Sequence, residues 1–186
     1  MVRSFIAIDI PKDVQLGIYS FALGSDAIKL VKPTKMHITL AFMDNLTKDE
    51  LSVAESRLRS ISERQFEISL MGIGKFTEEA PRVFYMRVRE GYDNVCKLHH
   101  NISEAMEESG IKIKRKVGNF VPHLTIGRLR ADDASVSEAL EFISERNLYE
   151  KPFSFNCDSV SLLRSDQGKM GHKYKRLLKV KLSKSY

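Results

Sequence analysis

Met36, Ile38, Leu40 and Phe42 recur at every second position of "KPTKMHITLAF" (32–42), the alternation of a strand with one face against a core. Comparable apolar alternations and runs predict strands at "SFIAIDI" (4–10), "FEISLMGI" (66–73), "VFYMRVR" (83–89), "VPHLTIGRL" (121–129), "FSFNCDSVSLL" (153–163) and "KRLLKVKL" (175–182). "IKIKRK" (111–116) reads as a further strand, with Lys112, Lys114 and Lys116 along one face. Between the strands the apolar period lengthens to that of a helix. Thr47 followed by Glu50 is a capping-box signature, and Leu51, Ala54, Leu58 and Ile61 then share one face. Tyr92, Val95, His99, Ile102 and Met106 form a second stripe, which Gly110 is expected to close as a left-handed cap. A third helix, beginning near Asp132 and Asp133, carries Val136, Ala139, Leu140 and Ile143. Pro11 suits the opening turn of another, directly behind the first strand.

The order of these elements repeats. "MHITLAF" and "VPHLTIGRL" each follow a strand and a helix and precede a helix and a strand, which implies an internal duplication diverged beyond any visible repeat. No low-complexity tract or flexible linker divides the 186 residues, so the expectation is one domain over 1–186. The composition, 42% hydrophobic and 29% charged, is that of a globular protein rather than a disordered one. No apolar run approaches the roughly 20 residues that cross a bilayer. "MVRSFIAIDIPKD" reads as a first strand and not an export signal, because Asp9 interrupts its short apolar stretch. Cys96 and Cys157 match no metal spacing and are expected as reduced thiols of a cytoplasmic protein. Basic residues exceed acidic ones by 30 to 24, a net charge of +6, which leans toward a polyanionic partner. The basic clusters at 111–116 and 168–184 fit solvated strand edges as well as they fit phosphate attraction.

His37 and Thr39 stand on the face of their strand opposite its core residues, and "HLTI" (123–126) repeats the pattern with His123 and Thr125. Residues two apart on a strand face the same way. Ile38, Leu40, Leu124 and Ile126 anchor both strands in the core, so each His–Thr pair is held on a rigid support. At ordinary frequencies of His and Thr, one His-x-Thr is expected only about 0.2 times in such a chain. Two copies, both on strand patterns, mark a site.

Two imidazoles with no acidic triad partner suit general acid–base work. A pKa near 6.5 lets one be neutral while the other is charged around neutral pH. The threonine hydroxyls can donate to non-bridging phosphate oxygens, where negative charge sits through the transition state. In a basic protein this points to phosphodiester chemistry. Two other classes stand beside it: an RNA-binding module without turnover, and a histidine-ligated metal enzyme, for which two His are too few ligands.

"HITL" and "HLTI" resemble the paired motifs of the 2H phosphoesterase superfamily. Within it, "RSFIAIDIP", "NFVPHLTIGR" and "VSLLRSDQGKMGHKYKRL" are similar to the bacterial and archaeal RNA 2',3'-cyclic phosphodiesterases, also known as 2'-5' RNA ligases. The resemblance runs in order over essentially the whole chain. It implies an α+β fold: a two-lobed pseudo-twofold duplication in which two antiparallel sheets face a central cleft, with helices outside. It also implies hydrolysis of an RNA terminal 2',3'-cyclic phosphate to a 2'-phosphomonoester, with His37 as general acid, His123 as general base and Thr39 and Thr125 as phosphate donors. With an RNA 5'-hydroxyl in place of water, or in reverse, the same site would make or break a 2'-5' linkage. No cofactor and no metal are expected. The implied partner is RNA with a cyclic phosphate end, tRNA halves among the candidates, handled by a monomer away from membranes.

Arg128 matches the family's "HLTxxR" and is a candidate phosphate ligand, with a surface salt bridge as the alternative. Tyr174 matches a late motif, although the family's Gly-Pro-x-Tyr here reads Gly171-His172-Lys173-Tyr174. Phe5 reads as core, with stacking on a base as the other option. His99 is expected to be a buried, satisfied histidine, His100 to be solvated, and His172 to lie outside the chemistry. Gly168 and Gly171 lack P-loop spacing and are expected to shape a loop.

Overall fold

The computed structural model describes residues 1–77, 81–114, 120–130, 134–149, 151–168 and 171–184. Strands β1 (Val2–Asp9), β2 (Ile28–Leu30), β3 (His37–Leu46), β4 (Phe66–Lys75), β5 (Val83–Val88), β6 (His123–Leu129), β7 (Phe153–Cys157), β8 (Ser159–Gly168) and β9 (Gly171–Lys181) alternate with helices α1 (Lys12–Ala22), α2 (Lys48–Arg59), α3 (Tyr92–Glu107) and α4 (Ala134–Arg146). The sheet order is β7-β4-β5-β6-β3-β1-β8-β9, with β2 also beside β6. Every named pairing is antiparallel. The array divides into two four-stranded halves, β3-β1-β8-β9 and β6-β5-β4-β7, each with a His-x-Thr strand at its inner edge. They meet through one residue pair, Ile38 opposite Leu124.

The lobes are interlocked behind the sheet. α1 follows β1 of the first lobe but packs on β6 and β7 of the second. α3 follows β5 of the second lobe but packs on β3 of the first. Ile6, Ile8, Ile38 and Leu40 therefore share one core with Ile68, Leu70, Phe84, Leu124 and Ile126. A smaller cluster of Phe5, Ala7 and Leu163, with Phe42 against it, lies on the other face of the first lobe.

Local signals act as expected at helix ends. Thr47 Oγ1 accepts from the Glu50 amide at 3.2 Å, and a Glu50 carboxylate oxygen accepts from the Thr47 amide at 2.8 Å, closing the capping box. Gly110 has φ +80°, and the Ile111 amide reaches back to the Met106 carbonyl at 3.0 Å, the Schellman arrangement that ends α3. Pro11 sits at the N-cap of α1, one place before the opening turn.

Three expectations are corrected and one short strand is new. "FSFNCDSVSLL" is two strands: β7 pairs with β4 and β8 with β1, so the chain passes from one lobe to the other at Asp158. The reason is a change of phase: Phe155 and Cys157 are buried in step, whereas Ser159 through Leu163 are all buried, as in a strand covered on both faces. Residues 111–114 of "IKIKRK" form no strand. Instead the Lys114 amide donates to the Phe42 carbonyl at 2.7 Å and its Nζ meets Asp44 at 3.0 Å; Lys116 lies outside the described residues. Phe42 faces away from the main core, because a register shift between Ile6 and Ala7 buries Leu40 and Ala41 consecutively and reverses the alternation. The three-residue β2 had no sequence signal. Asp132 and Asp133 lie outside the described residues. Among those described, no helix is long and apolar enough to cross a membrane.

Candidate active site

The pairing of Ile38 with Leu124 decides the geometry. In an antiparallel pair, one step each way sets His37 against Thr125 and Thr39 against His123, all four on the same face. Directly opposite residues have Cβ atoms about 4.5–5.5 Å apart and diagonal neighbours about 7–8 Å. The two imidazoles are the diagonal, a spacing into which a phosphate group fits. The local twofold runs through the Ile38–Leu124 bridge.

Both rings are held the same way. His37 Nδ1 lies 2.8 Å from the Lys35 carbonyl and His123 Nδ1 lies 2.7 Å from the Val121 carbonyl. A carbonyl oxygen has no proton to give, so each Nδ1 must be the N–H donor. Nε2 is then the nitrogen through which each ring can exchange a proton with a substrate.

The aromatic surroundings are matched as well. His37 packs against Phe5 (centroids 4.9 Å apart) and edge-on to Tyr174 (5.3 Å). His123 packs edge-on to Phe76 (4.7 Å) and to Tyr85 (5.3 Å). Gly74 makes room for this second pair, since a Cβ there would stand 2.6 Å from Tyr85 Cζ. Phe5 is buried against His37, so its role is packing.

Burial holds the His37 imidazole below the usual histidine range, while the Lys35 carbonyl and the charge of Asp9 pull it upward. Asp9 is the β1 residue in register with His37. Its carboxylate accepts from Ser161 Oγ at 2.6 Å and meets Arg176 at 3.3 Å. Burial pushes the Tyr174 phenol up, and the charges of Arg128 and Arg3 partly offset this. Arg128 contributes its charge from the second lobe, where it pairs in register with Val83 and Lys29. His37, Thr39, His123 and Thr125 thus share one face where the lobes meet, Tyr174 lies edge-on to His37, and the charge of Arg128 acts on the Tyr174 phenol.

The remaining candidates fall elsewhere. His99 Nδ1 contacts the Leu40 carbonyl at 2.5 Å and its ring stacks on Phe120, 3.8 Å between centroids. His100 is exposed. His172 Nδ1 pairs with Ser165 Oγ at 3.1 Å. Gly168 and Gly171 pair at the β8–β9 turn. Cys96 and Cys157 are free thiols, both pushed up by burial, Cys157 to about 12, where it is no nucleophile. Sequence reasoning missed Asp9, Phe76 and Tyr85. The alternation from Phe5 through Ala7 to Asp9 could have put Asp9 on the cleft face; nothing local marks the aromatic pair.

This architecture is that of the LigT-type phosphoesterases. E. coli LigT complexed with ATP superposes with a TM-score of 0.75 at 20% identity over 98% of both chains. TT0787 of Thermus thermophilus does so with a TM-score of 0.75 at 22% identity, over 99% of this chain and 100% of that one. Residues 19–169 match the model of the 2'-5' RNA ligase superfamily, and the chain belongs to that superfamily. It is similar to the RNA 2',3'-cyclic phosphodiesterase of Methanocaldococcus jannaschii, 33% identical over 137 residues (71% of this chain, 74% of that one). The Archaeoglobus fulgidus protein of the same name is 28% identical over 153 residues (80% and 85%).

Proposed function

We propose that the protein is an RNA 2',3'-cyclic phosphodiesterase that opens a terminal cyclic phosphate to a 2'-phosphomonoester by two-histidine acid–base catalysis. The observation that carries the reading is the Ile38–Leu124 register, which sets two Nδ1-anchored imidazoles diagonally on one face. A water held by one Nε2 attacks phosphorus, and that imidazole takes the water's proton. The other imidazole gives a proton to O3' as the P–O3' bond breaks in line with the attack, leaving the phosphate on O2'. Thr39 and Thr125 donate to the non-bridging oxygens, and Arg128 and Tyr174 hold the phosphate or its ribose from the open side. An RNA 5'-hydroxyl in place of water, with the bond changes reversed, gives a 2'-5' linkage at the same site. Ends such as those of cleaved tRNA fit this description, and a monomer is the proposed working form.

The resemblance assigns His37 as the acid and His123 as the base. In the free protein burial favours neutral His37. An anionic phosphodiester beside it restores its proton affinity, so the acid becomes charged as substrate binds. An RNA ending in a 2',3'-cyclic phosphate, incubated with protein and chelator, is expected to yield the 2'-phosphate with a bell-shaped pH dependence. A 3'-phosphate product, or RNA binding without turnover, would overturn the reading.

Asp9→Asn separates the two histidine roles. Removing the carboxylate charge and leaving Arg176 unpaired both lower the His37 pKa. If His37 is the acid, the alkaline limb of the kcat profile, which reports the substrate complex in which His37 is charged, moves to lower pH while the acidic limb stays. Movement of the acidic limb alone would make His37 the base.

A further inference from the structure

The cleft does not end at the imidazoles. At the far end of the first lobe a cavity of about 330 Å³ opens between the start of β1 and the ends of β3 and β8, lined by Arg3, Asn45, Arg164, Ser165, Asp166 and Gln167 among others. It continues the cleft face. Ser165 stands in register with Tyr174 and Arg3 with Asn45. Arg3 Cζ lies 5.0 Å over the Phe42 ring, Phe42 stacks on Phe5 at 6.2 Å, and Phe5 lies against His37. A row of rings thus joins the cavity to the proposed reaction centre.

The charge in this cavity is not balanced. Asp166 is bound by Arg164, Nε to carboxylate 2.6 Å, so those two charges cancel. Arg3 has no carboxylate partner among the described residues, and its Nε is buried without an acceptor. A guanidinium held against an aromatic ring keeps its charge and its terminal N–H groups for phosphate oxygens. The terminal N–H groups of Arg3, rather than its covered Nε, are the donors a ligand in this cavity can meet. Asn45 and Gln167 add amide donors at the same wall.

We infer that this cavity is a second phosphate subsite, in which Arg3 binds the phosphodiester joining the terminal nucleotide to the one before it. The inference rests on the cyclic phosphodiesterase reading and narrows its substrate to oligonucleotides over nucleoside cyclic monophosphates. A terminal nucleotide with its end phosphate between His37 and His123 extends its 5'-oxygen along the row of rings toward Arg3. The residue is outside the reacting atoms, so its contribution lies in affinity and substrate length and not in the chemical step.

The test uses two ligands that differ only in the 5'-phosphate, adenosine 2'-monophosphate and adenosine 2',5'-bisphosphate, with binding measured by calorimetry. The bisphosphate is expected to bind about tenfold tighter to the unmodified protein, the worth of one charged hydrogen-bonded pair. Arg3→Met keeps an unbranched stem over Phe42 and is expected to erase that advantage while leaving the monophosphate affinity unchanged. Arg3→Lys, which retains the charge, is expected to recover part of it. The same advantage persisting in Arg3→Met, an equal loss for both ligands, or no advantage in the unmodified protein would each overturn the subsite. Turnover of cyclic-ended RNA is scored separately: its absence refutes the proposed reaction, whereas the subsite stands or falls on the difference between the two ligands.

Discussion

Replacing either of the proposed catalytic imidazoles is expected to lower kcat on a cyclic-ended RNA by about 10²–10⁴-fold, the usual worth of a positioned acid or base. His37→Asn and His123→Asn are the informative variants. An asparagine side-chain N–H can reach roughly where Nδ1 sits, so the bonds to the Lys35 and Val121 carbonyls can persist. What disappears is the titrating Nε2. Thermal unfolding should then change little while turnover collapses, which separates loss of chemistry from loss of fold. The double variant should be barely slower than the worse single one, because in the proposed reaction acid and base act in a single concerted displacement and neither works fully alone. Single variants that stay within a few-fold of the unmodified protein would remove both histidines from the mechanism.

The pH behaviour of stability provides an independent check on the His37 environment. Its folded pKa is held below the ordinary 6.5 by burial. On acidification the unfolded chain therefore takes up this proton first, and the fold loses stability as pH falls through 6.5. His37→Asn should lose less stability over that interval. The comparison reads the burial of the ring without reference to any substrate.

What was legible in the sequence follows from how local each signal is. The capping box at Thr47 and the cap at Gly110 involve residues three to five apart, and both formed as read. The His-x-Thr pairs were visible because period-two geometry needs only three residues to place two side chains on one face. Where they meet was not visible, since the register of Ile38 with Leu124 depends on how two distant strands align. The same holds for Asp9, which lies beside His37 only through the β1–β3 register, and for Tyr85, whose place under His123 requires both Gly74 and the β5–β6 bulge. Bulges defeat alternation outright. One extra residue turned Phe42 from the expected core side to the row of rings. At Asp158 two strands of different lobes abut so closely that their apolar runs fuse in the sequence.

The threonines are the second large expected effect. Thr39→Val and Thr125→Val keep the β-branched shape that a strand favours and delete only the hydroxyl. Loss of one preorganised donor to a developing anion costs about 10²–10³ in kcat where the charge appears only in the transition state. Here the phosphodiester is already anionic when it binds. Part of the loss should therefore appear in KM, and the expectation is a fall of about 10–10³-fold in kcat/KM. The local twofold adds a constraint. Thr39 stands against His123 and Thr125 against His37, so in the proposed reaction each hydroxyl would serve the phosphate from the side of the other lobe's imidazole. Deleting either should cost a similar factor. Thr39→Ser and Thr125→Ser, which restore the hydroxyl without the methyl group, should recover most of the activity; recovery by serine distinguishes a donor from a packing contact. Valine variants with unimpaired kcat/KM, or serine variants as poor as valine, would show that the hydroxyls do not touch the phosphate and that the cleft holds its substrate by charge alone.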